Sequence, residues 1–111
     1  MKNSEINISV ALDEEKRPAK IHWSAADGKT KPGECKAFLL SIFEKETKET
    51  LRIDLWTNEM EIGEMDRFFF HTIKSMADTY HKATNNNLLA SHMQQFAEHF
   101  GKETGIIPKE E

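Results

Sequence analysis

The sequence is short of cysteine, with a single one among its 111 residues. Cys35 therefore cannot form an internal disulfide, which fits a reducing compartment. It begins an apolar segment and has no histidine close to it in sequence. We therefore interpret Cys35 as a buried structural thiol and not as a nucleophile.

Long apolar runs are also missing. The stretch "AFLLSIF" is much too short to cross a bilayer, and the start "MKNSEINISV" lacks the apolar segment and small-residue cleavage site of a secretory signal. We expect a cytoplasmic protein without direct membrane insertion. Any association with the inner membrane would then run through partner proteins.

The sequence contains no block of lysine or arginine that could bind a phosphate backbone, and its formal net charge is -4. Both signs of charge are scattered, so nucleic acid is not an expected partner. What the sequence does have is 38% apolar residues, with seven Phe and two Trp. At this length, that content predicts one folded domain and argues against intrinsic disorder.

Two segments near the start alternate apolar and polar residues. The charged turn "DEEKRP" separates them, so the pattern predicts a β-hairpin. Residues 27–33, "DGKTKPG", then predict a surface loop without the spacing of a phosphate-binding loop. The apolar side of this hairpin consists of Ile6, Ile8, Val10 and Leu12 in the first strand and Ile21 and Trp23 in the second.

Strands three and four follow, joined by the polar turn "ETKE". "TLRIDLWT" alternates cleanly, with Arg52, Asp54 and Trp56 opposite its apolar face. "CKAFLLSIFEK" differs because Phe38, Leu40 and Ile42 occupy one face while Ala37, Leu39 and Phe43 occupy the other. A strand covered on both sides needs two layers around it, and the chain has material for only one helical layer. The sheet should therefore keep apolar area for an outside contact.

Two amphipathic helices are predicted in the second half, at about residues 63–83 and 88–101. The break between them is "TNNN", and Gly101 is a candidate for the end of the second helix. The expected core stripes are Met65, Phe69, Ile73, Met76, Tyr80 and Ala83 in the first helix and Leu89, Met93, Phe96, Ala97 and Phe100 in the second. Phe70 falls off the first stripe.

We predict a single α+β domain, a four-stranded antiparallel β-meander followed by an α-helical hairpin packed on one face. The sheet should span about residues 5–57 and the helices about residues 61–103. Residues 104–111 should form a flexible tail, in which Ile106 and Ile107 can pack back onto the core.

Histidines on the helices are the only candidates for chemistry. His71, Asp78 and His81 group on the polar side of the first helix, and His71 and Asp78 are too far apart along the axis to share one metal ion. His92 and His99 flank the second stripe without an HExxH or Glu-x-x-His pattern. We expect a solvated surface, no cofactor, no metal and no catalytic residue.

The outer face of the sheet is the better candidate site. Arg52 and Asp54 project to the same side as Trp56, and a cross-strand ion pair on a solvated face is the simpler interpretation. Apolar and aromatic anchors beside a polar pair are also the residue mixture of protein interfaces. The predicted protein interface consists of Leu39, Phe43, Arg52, Asp54 and Trp56, with His22 as a further candidate.

Several blocks of the sequence resemble the gliding motility protein GldC family of the Bacteroidetes. These are "IHWSAADG", "GECKA", "LRIDLWT" and "MADTY", in the same order, with "AT" after the last. The resemblance covers nearly the whole chain, and only "FFF" and "NNN" depart from it. It implies a small, soluble, non-enzymatic accessory protein of the gliding apparatus, with other apparatus proteins or further copies of itself as partners. The family pattern has no catalytic residues to transfer.

A second interpretation stays open. A sheet followed by two helices is also similar to the export chaperone SecB, which implies an oligomer that holds unfolded client chains. Suppression of aggregation of many unrelated proteins would favour it over one dedicated partner.

Overall fold

The computed structural model describes residues 1–26 and 31–109 and confirms the α+β class. The chain divides into two compact units, Met1–Met60 and Glu61–Glu111, which are described in turn. The first unit contains the strands β1 (Ile6–Leu12), β2 (Pro18–Ala25), β3 (Gly33–Cys35), β4 (Ala37–Phe43) and β5 (Thr50–Trp56). The second contains the helices α1 (Ile62–Thr84) and α2 (Asn87–Glu103).

The strands form two antiparallel sheets where the sequence predicted one four-stranded meander. The described strands number five, in a sheet of order β1-β2-β3 and a two-stranded sheet β4-β5. The predicted third strand is divided at Lys36, because Cys35 pairs with Ile21 while Ala37 pairs with Trp56. The Thr57 N–H donates to the Lys36 carbonyl at 2.8 Å, which fixes the change of sheet.

Pairing in the first hairpin follows the predicted faces. Val10 lies opposite Ile21, and Ile8 lies opposite Trp23, so the apolar residues of both strands share one side. Ile21 is fully buried. Gly33 pairs with Trp23, and a Cβ at Gly33 would lie 3.3 Å from the Trp23 Nε1, so glycine suits this point of close approach.

Acidic side chains cap the turns of both hairpins. In the β1–β2 turn, the Asp13 Oδ1 accepts hydrogen bonds from the N–H groups of Arg17 and Glu15, both at 2.9 Å. In the β4–β5 turn, the Glu44 Oε2 accepts from Thr47 at 2.6 Å and from Glu46 at 2.8 Å. These donors favour the ionised carboxylates. The pKa of Asp13 is lowered, mainly by the Arg17 N–H, and the pKa of Glu44 is lowered, mainly by the Thr47 N–H.

Both helices have ordered ends. At the start of α1, the Glu61 N–H donates to the Glu64 carboxylate at 3.1 Å in a capping box. Asn85 closes α1 in the left-handed conformation at φ 59°, which asparagine tolerates well. The Asn86 Oδ1 then accepts from the Leu89 N–H at 3.2 Å and caps α2. Gly101 lies inside α2 and does not end it, contrary to the prediction.

Most residues of the expected core stripes are exposed or half-buried, and the one that is fully buried is Ala97 on α2. Phe70, which the sequence placed off the stripe, is 6% exposed, whereas Phe69 and Met76 are 38% and 53% exposed. Ala77 on α1 is also buried, and a Cβ on Gly101 would lie 2.6 Å from the Phe70 ring. The buried residues of the two helices are Phe70, Ala77, Ala90, Ala97 and Gly101.

Small residues explain which positions are buried, because alanine and glycine let two helices approach closely around one aromatic ring. The predicted single domain, the packing of the helices on a sheet face and the flexible tail stay predictions. Residues 27–30 of the predicted loop and residues 110–111 lie outside the described residues.

Candidate functional site

The strand pairing brings the five predicted interface residues together. In the β4–β5 ladder, Leu39 lies opposite Asp54, and Ala37 lies opposite Trp56. Residues two apart in a strand point the same way, and directly paired residues share a side. One face of this hairpin therefore carries Leu39, Phe43, Arg52, Asp54 and Trp56, and we name it the Trp56 face.

The polar centre of the Trp56 face is a two-point ion pair. The Arg52 Nε donates to the Asp54 Oδ2 at 3.2 Å, and the Arg52 Nη2 donates to the Asp54 Oδ1 at 2.8 Å. The Arg52 Nη1 also donates to the Ser41 Oγ across the strands. An exposed pair adds only about 0–1 kcal/mol to stability. Its main effect is to hold a guanidinium and a carboxylate in fixed positions at the surface.

Aromatic side chains stand at both ends of this pair. Phe43 is 69% exposed and Trp56 is 57% exposed, while Leu39 is half-buried between them. Aromatic side chains that are this accessible offer apolar area that a binding partner can bury. The face thus combines apolar anchors with a fixed polar group.

A groove of about 320 Å³ lies beside Trp56. Asp54 and Trp56 form part of its lining, together with Leu55 and Asn58. Arg17 in the β1–β2 turn and Pro18 at the start of β2 complete it. Sequence reasoning missed Arg17 and Pro18, because their separation from Trp56 in the chain gives no signal of contact. The charge of Arg17 is balanced by Glu15 at 2.8 Å and Asp13 at 3.5 Å.

The structure does not place His22 on this face. His22 lies on β2 in the other sheet, between Ser9 and Glu34. Cys35 is a half-buried free thiol on β3. Neither residue contributes to the Trp56 face.

The helical histidines lie on exposed positions of α1 and α2. The Asp78 Oδ1 accepts a hydrogen bond from the Gln94 side chain at 2.9 Å and so joins the two helices. His99 contacts the Phe96 ring, with 6.2 Å between ring centroids. Within residues 1–26 and 31–109, no group of three or more His, Cys, Asp or Glu side chains is arranged to hold a metal ion.

The helices of the described chain also lack the combination of length and apolar character that a membrane crossing requires.

These observations define a class, a small α+β protein with an exposed aromatic and ionic face. Comparison with family models then gives the family. The model described as gliding motility-associated protein GldC-like matches residues 18–106, most of the 111-residue chain. The chain therefore belongs to the GldC-like family, and its association with gliding motility is established at the level of that family. No curated protein and no solved structure matches the chain.

Proposed function

We propose that this chain is a non-enzymatic accessory protein of the gliding motility apparatus that binds another protein of that apparatus through the Trp56 face. The observation that carries the proposal is the arrangement of Phe43 and Trp56 around the Arg52–Asp54 pair. Family membership supplies the biological setting. We place this contact in the cytoplasm, with any association with the inner membrane made by the partner.

The chemistry of the face suggests what the partner presents. Trp56 and the adjacent groove suit an inserted apolar side chain, as buried aromatic anchors do in protein interfaces. The Arg52–Asp54 pair offers donor and acceptor groups in one fixed direction. A partner strand or loop with one apolar anchor next to polar backbone groups would satisfy both.

The test is co-purification of the tagged full-length chain from motile cells, comparing Trp56→Ala with wild type. We expect the partner to be lost, because truncating a central aromatic anchor costs about 2 kcal/mol or more, roughly thirtyfold in affinity. Leu12→Ala is the matched control, since Leu12 on β1 is also 57% exposed. The Leu12 variant should keep the partner. Unchanged co-purification in the Trp56 variant would refute the proposal.

A client-binding module similar to SecB is the second candidate. The observation in its favour is the other face of β4–β5, where Ile42, Leu51 and Ile53 are each about half exposed. Such an area could hold many unfolded chains without a dedicated pocket. Light scattering of several unrelated aggregating proteins separates the two. Suppression of all of them at stoichiometric amounts would support the client-binding function.

A further inference from the structure

The helical hairpin has one apolar side and one polar side. On α1, the sequence from Phe69 to Tyr80 contains apolar residues at spacings of four, three and four, namely Phe69, Ile73, Met76 and Tyr80. On α2 the same spacing gives Leu89, Met93, Phe96 and Phe100. This is the spacing of coiled-coil seams, in which apolar side chains fit between residues of a facing helix.

These seams are not the contact between α1 and α2. Each of four exposed apolar residues directly precedes a buried contact residue, in the pairs Phe69–Phe70, Met76–Ala77, Leu89–Ala90 and Phe96–Ala97. One residue turns a helix by about 100°. In an antiparallel pair of helices, the residue that directly precedes a contact residue is turned by this angle away from the contact. On both helices it is turned toward the same side of the pair. Both seams therefore lie on one side of the hairpin.

A groove confirms that the seams share this side. Ile73 and Tyr80 from α1 and Leu89, Met93 and Phe96 from α2 line it together with His92, and its volume is about 590 Å³. The opposite side is polar, with the Gln94–Asp78 hydrogen bond and Lys74 placed over the Phe70 ring at 5.8 Å. We name the first side the apolar hairpin face, formed by Phe69, Ile73, Met76, Leu89, Met93 and Phe96.

The exposed apolar area of this face is somewhat smaller than one side of a standard dimer interface. Phe69, Met76, Leu89, Phe96 and the adjoining Ile62 together expose the equivalent of between two and three complete side chains. At ~150–250 Å² for a large side chain, this is roughly 400–700 Å². A standard interface buries about 800 Å² on each partner. The half-buried groove residues and a polar rim would supply the difference.

Charge also favours a second copy. None of the eight seam residues of α1 and α2 is an Asp, Glu, Lys or Arg. Two identical faces can therefore meet without opposing like charges at their centre, although each chain has a net charge of -4. Two seams of equal length on each copy also fit the packing of a four-helix bundle.

We propose that the apolar hairpin face binds the same face of a second copy, giving a twofold-symmetric homodimer with α1 and α2 of both copies in a four-helix bundle. This proposal does not depend on the role in motility. It assigns self-association to the helices and leaves the Trp56 face for the partner.

The test is sedimentation velocity of the full-length chain over a wide concentration range. We expect a concentration-dependent dimer for wild type. Phe96→Glu and Met76→Glu each place two buried carboxylates in the symmetric interface, so the dissociation constant should rise at least a hundredfold. Far-UV circular dichroism should show unchanged helix content. Gln95→Glu is the control, because it adds the same charge at the exposed neighbour of Phe96 and should stay dimeric.

Two results would overturn the proposal. One is a wild-type chain that stays monomeric at every concentration. The other is a dimer that persists in both glutamate variants but is lost in Trp56→Ala, which would move the interface to the Trp56 face.

Discussion

Gly101 is a position in α2 where the chain has no room for a side chain. A Cβ there would lie 2.6 Å from the Phe70 Cε1 and 2.7 Å from the Ile107 Cδ1. Gly101→Ala should lower the free energy of unfolding by about 1 kcal/mol, because overpacking costs about 1–3 kcal/mol and the gain in helix propensity returns about 0.5–1 kcal/mol. Urea denaturation followed by circular dichroism measures the change.

Gly63→Ala is the matched control. Gly63 also lies in a helix, but a Cβ there would meet nothing within 4 Å. The Gly63 variant should be as stable as wild type or slightly more stable. Equal stability of the two alanine variants would contradict the tight contact between Gly101 and Phe70.

Phe69 and Phe70 show the limit of sequence reasoning for a single residue. Apolar spacing predicted the helix correctly, and it also identified the stripe that contains Phe69. It did not show which edge of the apolar sector meets α2, since the run Phe68–Phe70 makes several directions apolar. The deciding signal was the small residues Ala77 and Ala97, which allow close helix packing.

Among the elements, the β4–β5 hairpin depends on its turn. The Glu44 carboxylate accepts two backbone hydrogen bonds there. They lower its pKa, and the hydrogen bond from the Thr47 N–H has the largest effect. A lowered pKa in the folded state means that the carboxylate stabilises the fold above the pKa of an unfolded glutamate, about 4.3. This stabilisation is lost as the pH falls through the lower folded pKa.

Glu44→Ala should therefore lower the melting temperature at neutral pH, and the difference from wild type should shrink as the pH falls below about 4.3 and through the lower pKa of the folded state. Thermal melts at several pH values measure this. Glu46→Ala removes the same charge from the same turn but keeps the Glu44 acceptor, so its effect should be smaller. A deficit for Glu44→Ala that does not change with pH would argue against the carboxylate cap.

The two strands of this hairpin were predictable because β5 alternates cleanly, β4 is an apolar run of strand length, and a short polar turn joins them. Parity grouped Asp54 with Trp56 on one side of β5 and Leu39 with Phe43 on one side of β4. The register of the two strands was not predictable, and the pairing of Leu39 with Asp54 is what puts the two sets on one face. The separate strand β3 was not predictable, because the alternation continues through Lys36 without a break. Pairing partners decide that boundary, and Ile21 and Trp56 are distant from it in sequence.

At the scale of the whole molecule, net charge opposes self-association. Two chains of charge -4 repel each other when they approach. At a separation of roughly 25 Å in water, the unscreened repulsion is about 2–3 kcal/mol. The Debye length is ~30 Å at 0.01 M salt and ~8 Å at 0.15 M salt, so salt removes most of this repulsion.

The proposed dimer should therefore become tighter as salt increases. From 0.01 M to 0.15 M salt, screening lowers the repulsion by about 1 kcal/mol, which is roughly a fivefold decrease in the dissociation constant. Glu14→Lys, in the β1–β2 turn, changes the formal net charge from -4 to -2 because it replaces one negative charge with one positive charge. It should dimerise more tightly than wild type at low salt and equally at high salt. Sedimentation equilibrium at both salt concentrations measures these constants. Weaker association at high salt would instead indicate an interface held by ion pairs, which the uncharged seams of α1 and α2 do not provide.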